Sequence, residues 1–264
     1  MGRSRQALLK LAPLPLAALC ACARPSFPAL NAPDDTVQSI SIEHAADSFV
    51  LVQSPLGRWR VDPLKGVIDE ADAVGAERLL SGLRALRVDA DVPGDAAAAG
   101  LSGADAVSVA VFVSGRNDAA FTARFGRRAL GGALYAAARA DAPTAIVEGP
   151  DPALLSRSAS DWRELRLLTG DCTRVEVAAS RRFRAASPAT AAALCAARAA
   201  RLAVDSPPEV TGMSRPSLRV RTRTSSLTVG ARLDGERWIR VDGRPGLFLA
   251  PAEVFETAAA EAAR

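Results

Sequence analysis

Arg219, Arg221 and Arg223 alternate along SLRVRTRT (217–224). On an extended strand, residues at i, i+2 and i+4 share a face. The spacing therefore predicts a row of three guanidiniums, opposite Leu218, Val220 and Thr222. Such a row is either a solvated sheet face or a ladder for anionic headgroups, acidic glycans or an acidic partner, because Arg binds carboxylate and phosphate through paired hydrogen bonds. Arg181, Arg182 and Arg184 add a basic turn earlier in the chain.

Other chemistry is thinly supplied. His44 is the only histidine, so a Ser-His-Asp or Cys-His mechanism would have to use it. It is read here as a surface strand residue. The chain has neither a Gly-x-Ser-x-Gly nucleophile elbow nor a Gly-x-x-x-x-Gly-Lys phosphate loop. Asp69, Glu70 and Asp72 form an acidic group that the pattern places at a helix start, where the helix dipole favours carboxylates. That position explains them without glycosidase chemistry. Cys172 and Cys195 lack a second ligand pair at metal-binding spacing, and no acidic run matches a calcium loop. The expectation is a non-enzyme with no metal and no cofactor.

The elements that must position these residues follow from hydrophobic patterning. VQSISIEH and SFVLVQSPLGRWRV alternate as strands. DEADAVGAERLLSGLRALRVD (69–89) reads as a helix, with Leu79, Leu83 and Leu86 on one face. Short strands follow at 106–113, 119–126, 133–140 and 144–149, then a short helix with Asp151 as N-cap. The order then recurs. A strand at 173–180 precedes a helix over 187–204, which starts at Ser187 with Pro188 in its first turn. Four strands (SLRVRTRT, SLTVGARL, RWIRV and GLFLA) and a closing helix, PAEVFETAAAEAAR, complete the chain. Asp234-Gly235 and Asp242-Gly243 are expected to supply positive φ angles at tight connections. Residues 121–155 align with 225–256, setting Gly126 on Gly230, Tyr135 on Trp238 and Pro143 on Pro245. The expected fold is α+β, with two tandem related subdomains. Each is a mostly antiparallel β-meander with packed helices, over 37–160 and 161–264.

The N-terminus reads as an address. MGRSRQALLKLAPLPLAALCACARP has a basic start, an apolar run from Leu11 to Leu19 and then small residues, which is a secretory pattern over 1–21. LCAC (19–22) has the form of a bacterial lipobox, with Cys22 as the lipid-attachment residue. The alternative is an ordinary secreted protein that leaves Cys22 free. Residues 22–36 read as a Pro-rich tether. The expected location is the cell envelope, facing the periplasm on either the inner or the outer membrane. There, Cys172 and Cys195 form a disulfide or remain two buried thiols. Of 264 residues, 49% are hydrophobic and only 5% aromatic, so the core is built largely from small side chains. Without the three bases of the first 21 residues the net charge falls from +4 to +1, which supplies no global field toward nucleic acid. The arginine stripe also lacks interleaved aromatics for base stacking.

Several segments carry a resemblance: ISIEHAADSFVLVQSPLGRWRV (40–61), AVGAERLLSGLRALR (73–87), AAAGLSGADAVSVAVF (97–112) and VGARLDGERWIRVDGRPGLFLAPAEVF (229–255). Their order resembles a bacterial envelope lipoprotein family, the domain of unknown function numbered forty-three-forty. Its members are often associated with ABC transporters of the gliding-motility type. The resemblance covers most of 37–258 and implies an accessory or scaffold role beside ABC permease and ATPase subunits. It implies no catalytic residues, because the family has none assigned. Two departures stand out: the second half lacks the GRWRV strand, and the first hairpin has ARADAP where the family favours a glycine turn.

Overall fold

The computed structural model describes residues 27, 29–31, 36–45, 47–92, 95–180, 182–203 and 206–264. The signal segment, Cys22 and Arg181 lie outside the described residues.

Among the described residues the chain forms two antiparallel sheets with a few helices, an α+β arrangement. The first sheet contains β1 (Val37–Glu43), β2 (Ser48–Gln53), β3 (Trp59–Pro63), β4 (Asp69–Glu70), β5 (Arg87–Asp91), β6 (Val107–Val113), β7 (Phe121–Arg128), β8 (Leu134–Ala137) and β9 (Ala145–Glu148), in the order β4-β3-β2-β1-β6-β7-β8-β9-β5. The second contains β10 (Glu176–Ala178), β11 (Arg184–Ala185), β12 (Arg201–Ala203), β13 (Leu218–Arg221), β14 (Ser226–Leu233), β15 (Glu236–Val241) and β16 (Leu247–Pro251), in the order β11-β10-β13-β14-β15-β16-β12.

With the β3–β4 hairpin set aside, both sheets follow one succession. A two-strand hairpin leads to a four-strand meander, and the outermost strand precedes that meander in the chain. Register agrees as well. Pairing shifts between Phe125 and Arg128 on β7, and between Val229 and Arg232 on β14. Each shift holds one glycine. A Cβ on Gly126 would lie 2.2 Å from the Ala99 carbonyl oxygen, and one on Gly230 would lie 2.0 Å from that of Thr211. Only a residue without a side chain lets a carbonyl from outside the sheet approach the strand so closely.

The first core runs from Leu30 to Trp162 and the second from Leu167 to Ala262. Phe27 and Leu30, inside the stretch read as a tether, pack against the first core. α1 (Ala73–Arg84) buries Leu79, Leu80 and Leu83 on the first sheet. In the second half, α3 (Pro188–Ala196) and α5 (Ala252–Ala263) contribute Leu194, Phe255, Ala258 and Ala262, and the short α4 (Pro208–Thr211) between them ends with the Thr211 carbonyl against Gly230. α2 (Pro152–Leu155) is capped by Asp151, whose carboxylate accepts the Ala153 N–H at 2.9 Å. The Ser187 hydroxyl likewise accepts from Thr190 N–H at the start of α3. Some small apolar clusters lie on the opposite sheet faces. One contains Ala99, Leu101 and Ala137 with Tyr135 beside them, and another contains Trp238, Leu247 and Leu249.

Three sequence expectations are corrected. The helix expected over 69–89 occupies only 73–84, because residues on either side pair as strands β4 and β5. Asp69 and Glu70 therefore lie on a strand rather than at a helix start. The helix expected over 187–204 stops at Ala196. Alanine's helix preference is overridden there, because 197–199 pair with the inter-sheet segment and β12 pairs with β16. At the turns, Asp234, Gly235 and Gly243 have positive φ, and Asp242 does not.

Candidate functional site

The best-formed polar constellation joins the two halves. Residues 163–167 bridge the sheets through their backbone. Asp72 N–H donates to Trp162 O at 2.7 Å, and Glu164 N–H to Glu70 O at 2.9 Å. A few residues later, Leu167 N–H donates to Ala197 O at 3.2 Å and Ala199 N–H to Leu165 O at 2.8 Å. Over this segment lies Arg244, from the turn between β15 and β16. Its Nε and Nη2 donate to the two oxygens of Asp69, both at 3.0 Å. Nη2 also reaches Glu164 O at 2.6 Å, and Nη1 reaches Arg166 O at 3.1 Å. The guanidinium stacks 4.5 Å from the Phe248 ring. Side-chain exposure is 4% for Arg244 and 0% for Asp69. Arg163 stands second to the same carboxylate at 3.8 Å. The two-point fork and the engaged carbonyls are what a buried ion pair needs to offset desolvation.

The chain matches no family model, no curated protein and no solved structure.

The other acids of the 69–72 segment serve the fold as well. Asp72 caps α1 through Gly75 N–H at 3.1 Å and accepts from Arg157 at 2.9 Å. Burial opposes its ionisation. Hydrogen bonds from Arg157 and Gly75, with the charges of Arg157 and Arg198, outweigh that and hold its carboxyl below the usual range. Glu70 accepts from the Thr169 hydroxyl at 3.4 Å. Glu164 binds Arg166 N–H at 2.8 Å and its guanidinium at 3.1 Å.

The arginine row is only partly assembled. Arg219 and Arg221 are exposed on β13, but that strand ends at Arg221. Thr222 begins a turn. Its N–H donates to Ser225 O at 2.7 Å, and its hydroxyl accepts from Thr224 and Ser225 N–H at 3.2 and 3.0 Å. Arg223 is thereby removed from the alternation and acts on Asp171 instead, whose carboxyl is held down chiefly by hydrogen bonds from Thr173. Arg221 donates to Glu176 at 2.6 Å and lies 4.0 Å over the Phe183 ring. Arg237 and Arg240 face opposite sides of β15, and Arg237 turns toward Glu256 of α5 at 3.6 Å.

Cys172 and Cys195 are joined by a disulfide, with Cα atoms 6.3 Å apart. His44 is a turn residue rather than a strand residue. Its N–H donates to Asp47 O at 2.7 Å, its ring stacks on Phe49, and Nε2 is buried without a hydrogen-bond partner. It borders a groove of about 400 Å³ that also includes Phe125, Leu134, Leu155, Asp105 and Arg127. Asp105 there is already paired with Arg127 at 2.7 Å. Among the described residues, no group of three or more His, Cys, Asp and Glu side chains is arranged to hold a metal ion.

The junction pair was missed by sequence reasoning. Asp69 and Arg244 are 175 positions apart, and no local pattern connects them. The available signal was indirect: an arginine in a tight Asp-Gly-Arg-Pro-Gly turn, where a solvated charge has no need of a fixed backbone.

Proposed function

We propose that the protein is a non-catalytic, lipid-anchored envelope component, with Cys22 as its lipid attachment point. It acts as an accessory or scaffold beside the permease and ATPase of an ABC-type transport system. The observation that carries the non-catalytic reading is the use made of the acids. Asp69 binds Arg244, Asp72 caps α1, Glu164 holds Arg166 and Glu176 holds Arg221. Carboxylates engaged in this way are not available as an acid–base pair. The resemblance of the motif order to that of the envelope family supports the transporter association. The secretory pattern and LCAC support the anchor.

The halves are, on this reading, diverged copies of one unit. Support comes from the common strand succession, the register shifts at Gly126 and Gly230, and the placement of Tyr135 and Trp238 on corresponding faces. Arg244 and Asp69 clasp the copies into one body that presents outer sheet faces to partners.

Co-purification from solubilised membranes tests the role. Recovery of permease or ATPase subunits is the expected result. Recovery of the protein alone, with anionic lipid or glycan retained, refutes the transporter reading. It would favour a binding module for anionic lipid, glycan or an acidic partner, to which the exposed arginines of the second sheet also point. For the anchor, fatty-acid labelling should disappear in Cys22→Ser, and unchanged incorporation sinks that assignment.

A further inference from the structure

We propose that the outer face of the second sheet holds an anion site formed by Arg219, Thr228 and Arg240, taking a phosphoryl group. Register places these residues in one row. Arg219 on β13 pairs with Thr228 on β14, and Thr228 pairs with Arg240 on β15. Directly opposed residues of neighbouring strands point to the same side. This face is the outer one, since Leu218, Val220, Ile239 and Val241 fill the core on the other side. Strands about 4.8 Å apart put the two arginine Cα atoms about 10 Å from each other. A tetrahedral anion between their guanidiniums, with the Thr228 hydroxyl beneath it, would receive donors from three sides.

The electrostatics favour this row over its neighbours. Arg174, Arg201, Arg221, Arg232, Arg237 and Arg244 each have a carboxylate partner. Arg219 and Arg240, both exposed, have none among the described residues. Two like charges across one threonine are a cost that an intervening anion removes. The nearby carboxylates are already engaged. Glu176 accepts from Arg221 and Arg174, and Asp242, next to Arg240 on the same face, accepts from the Ser226 hydroxyl. The site thus lies across three strands, whereas the spacing of 219, 221 and 223 had suggested a row along one.

The phosphoryl group belongs either to free phosphate or to a lipid headgroup. The full chain, labelled with nitrogen-15, is titrated with inorganic phosphate and, separately, with monomeric dihexanoyl phosphatidylglycerol while arginine Nε–H resonances are followed. Arg219 and Arg240 should shift together. Arg219→Gln and Arg240→Gln should each weaken binding about tenfold, the loss of one charge-assisted contact, while Arg232→Gln, whose side chain binds Glu256 on the helix-covered side of the sheet, leaves it unchanged. Tighter phosphate binding assigns the site to free phosphate, and tighter phosphatidylglycerol binding assigns it to the headgroup. The proposal is overturned if neither probe moves the two resonances, or if Arg232→Gln weakens binding as much as the other variants. These substitutions fall on exposed side chains, and an unchanged thermal midpoint verifies the fold. The site does not rest on the transporter reading, and failure of either leaves the other standing.

Discussion

Removing Asp69 should separate the two halves energetically. In Asp69→Ala the Arg244 guanidinium keeps its two carbonyl contacts but stays buried with no counter-charge. Breaking a buried, hydrogen-bonded pair from one side costs about 3–5 kcal/mol, against a total stability of about 5–15 kcal/mol. Arg244→Ala removes all four hydrogen bonds at once. Asp69 then still receives Glu70 N–H at 2.7 Å and has Arg163 at 3.8 Å, so the lower part of that range is expected. The double variant should lose much less than the sum of the singles, because most of each penalty comes from the partner left behind.

Tryptophan fluorescence during urea unfolding reads this directly. Trp59 and Trp162 lie in the first core, and Trp238 lies on the second sheet. In the parent chain all three should report one transition. Chains keeping only Trp238, or only the other two, should report separate midpoints once Asp69 is removed. A loss below about 1 kcal/mol, the size of an exposed pair, would refute the reasoning. So would strictly additive single and double variants, which would mean that the two residues do not act as a clasp.

The disulfide, the glycines and a helix contact give further tests. Cys172 and Cys195 are 23 residues apart, and closing a loop of that size stabilises by about 3 kcal/mol in the chain-entropy treatment, so reduction should lower the urea midpoint accordingly. Gly126→Ala and Gly230→Ala should each cost about 1–3 kcal/mol or more, since the new methyl meets a backbone carbonyl that cannot rotate away. Wild-type midpoints in either variant would show that the loop is free to retreat. Glu261 of α5 binds Thr190 and Ser187 at the start of α3, and those hydrogen bonds, with the Arg264 charge, hold its pKa below the ordinary value. A depressed folded-state pKa contributes stability that is complete above the unfolded pKa of about 4.3 and is lost as pH falls through the folded value. Glu261→Gln should therefore flatten the acid limb of the stability curve without steepening it near neutrality. A parallel curve would remove the contact from the account.

The parts of the fold legible in the sequence are those decided by neighbours in the chain. Asp151 and Ser187 were identified as caps because capping needs only a side-chain oxygen and an N–H two or three residues on. The strands of each meander show as alternating segments or, for β8 and β16, as short apolar runs bounded by turn residues. What was not legible depended on distant partners. The end of α3 is set by a strand on β16, and Asp69 is set by an arginine 175 residues away. Arg223 fell between the two cases, since a threonine-initiated turn is local chemistry but overrides alternation at a single residue.

That contrast bears on where function lies. On the tandem reading, both halves retain the features that shape the backbone: the register shift, its glycine and the carbonyl pressed against it. Their outer rows have diverged. Ser108, Arg124 and Ala137 occupy in the first sheet the row that Arg219, Thr228 and Arg240 occupy in the second. The first row has its one arginine in the middle, with Nε buried and without a hydrogen-bond partner. The second has an arginine on each side of a hydroxyl. On that reading, a framework that keeps its glycines while exchanging the residues of one face leaves the two outer faces free to differ in what they bind. It also makes the second sheet, rather than the first, the face on which anion binding should be sought.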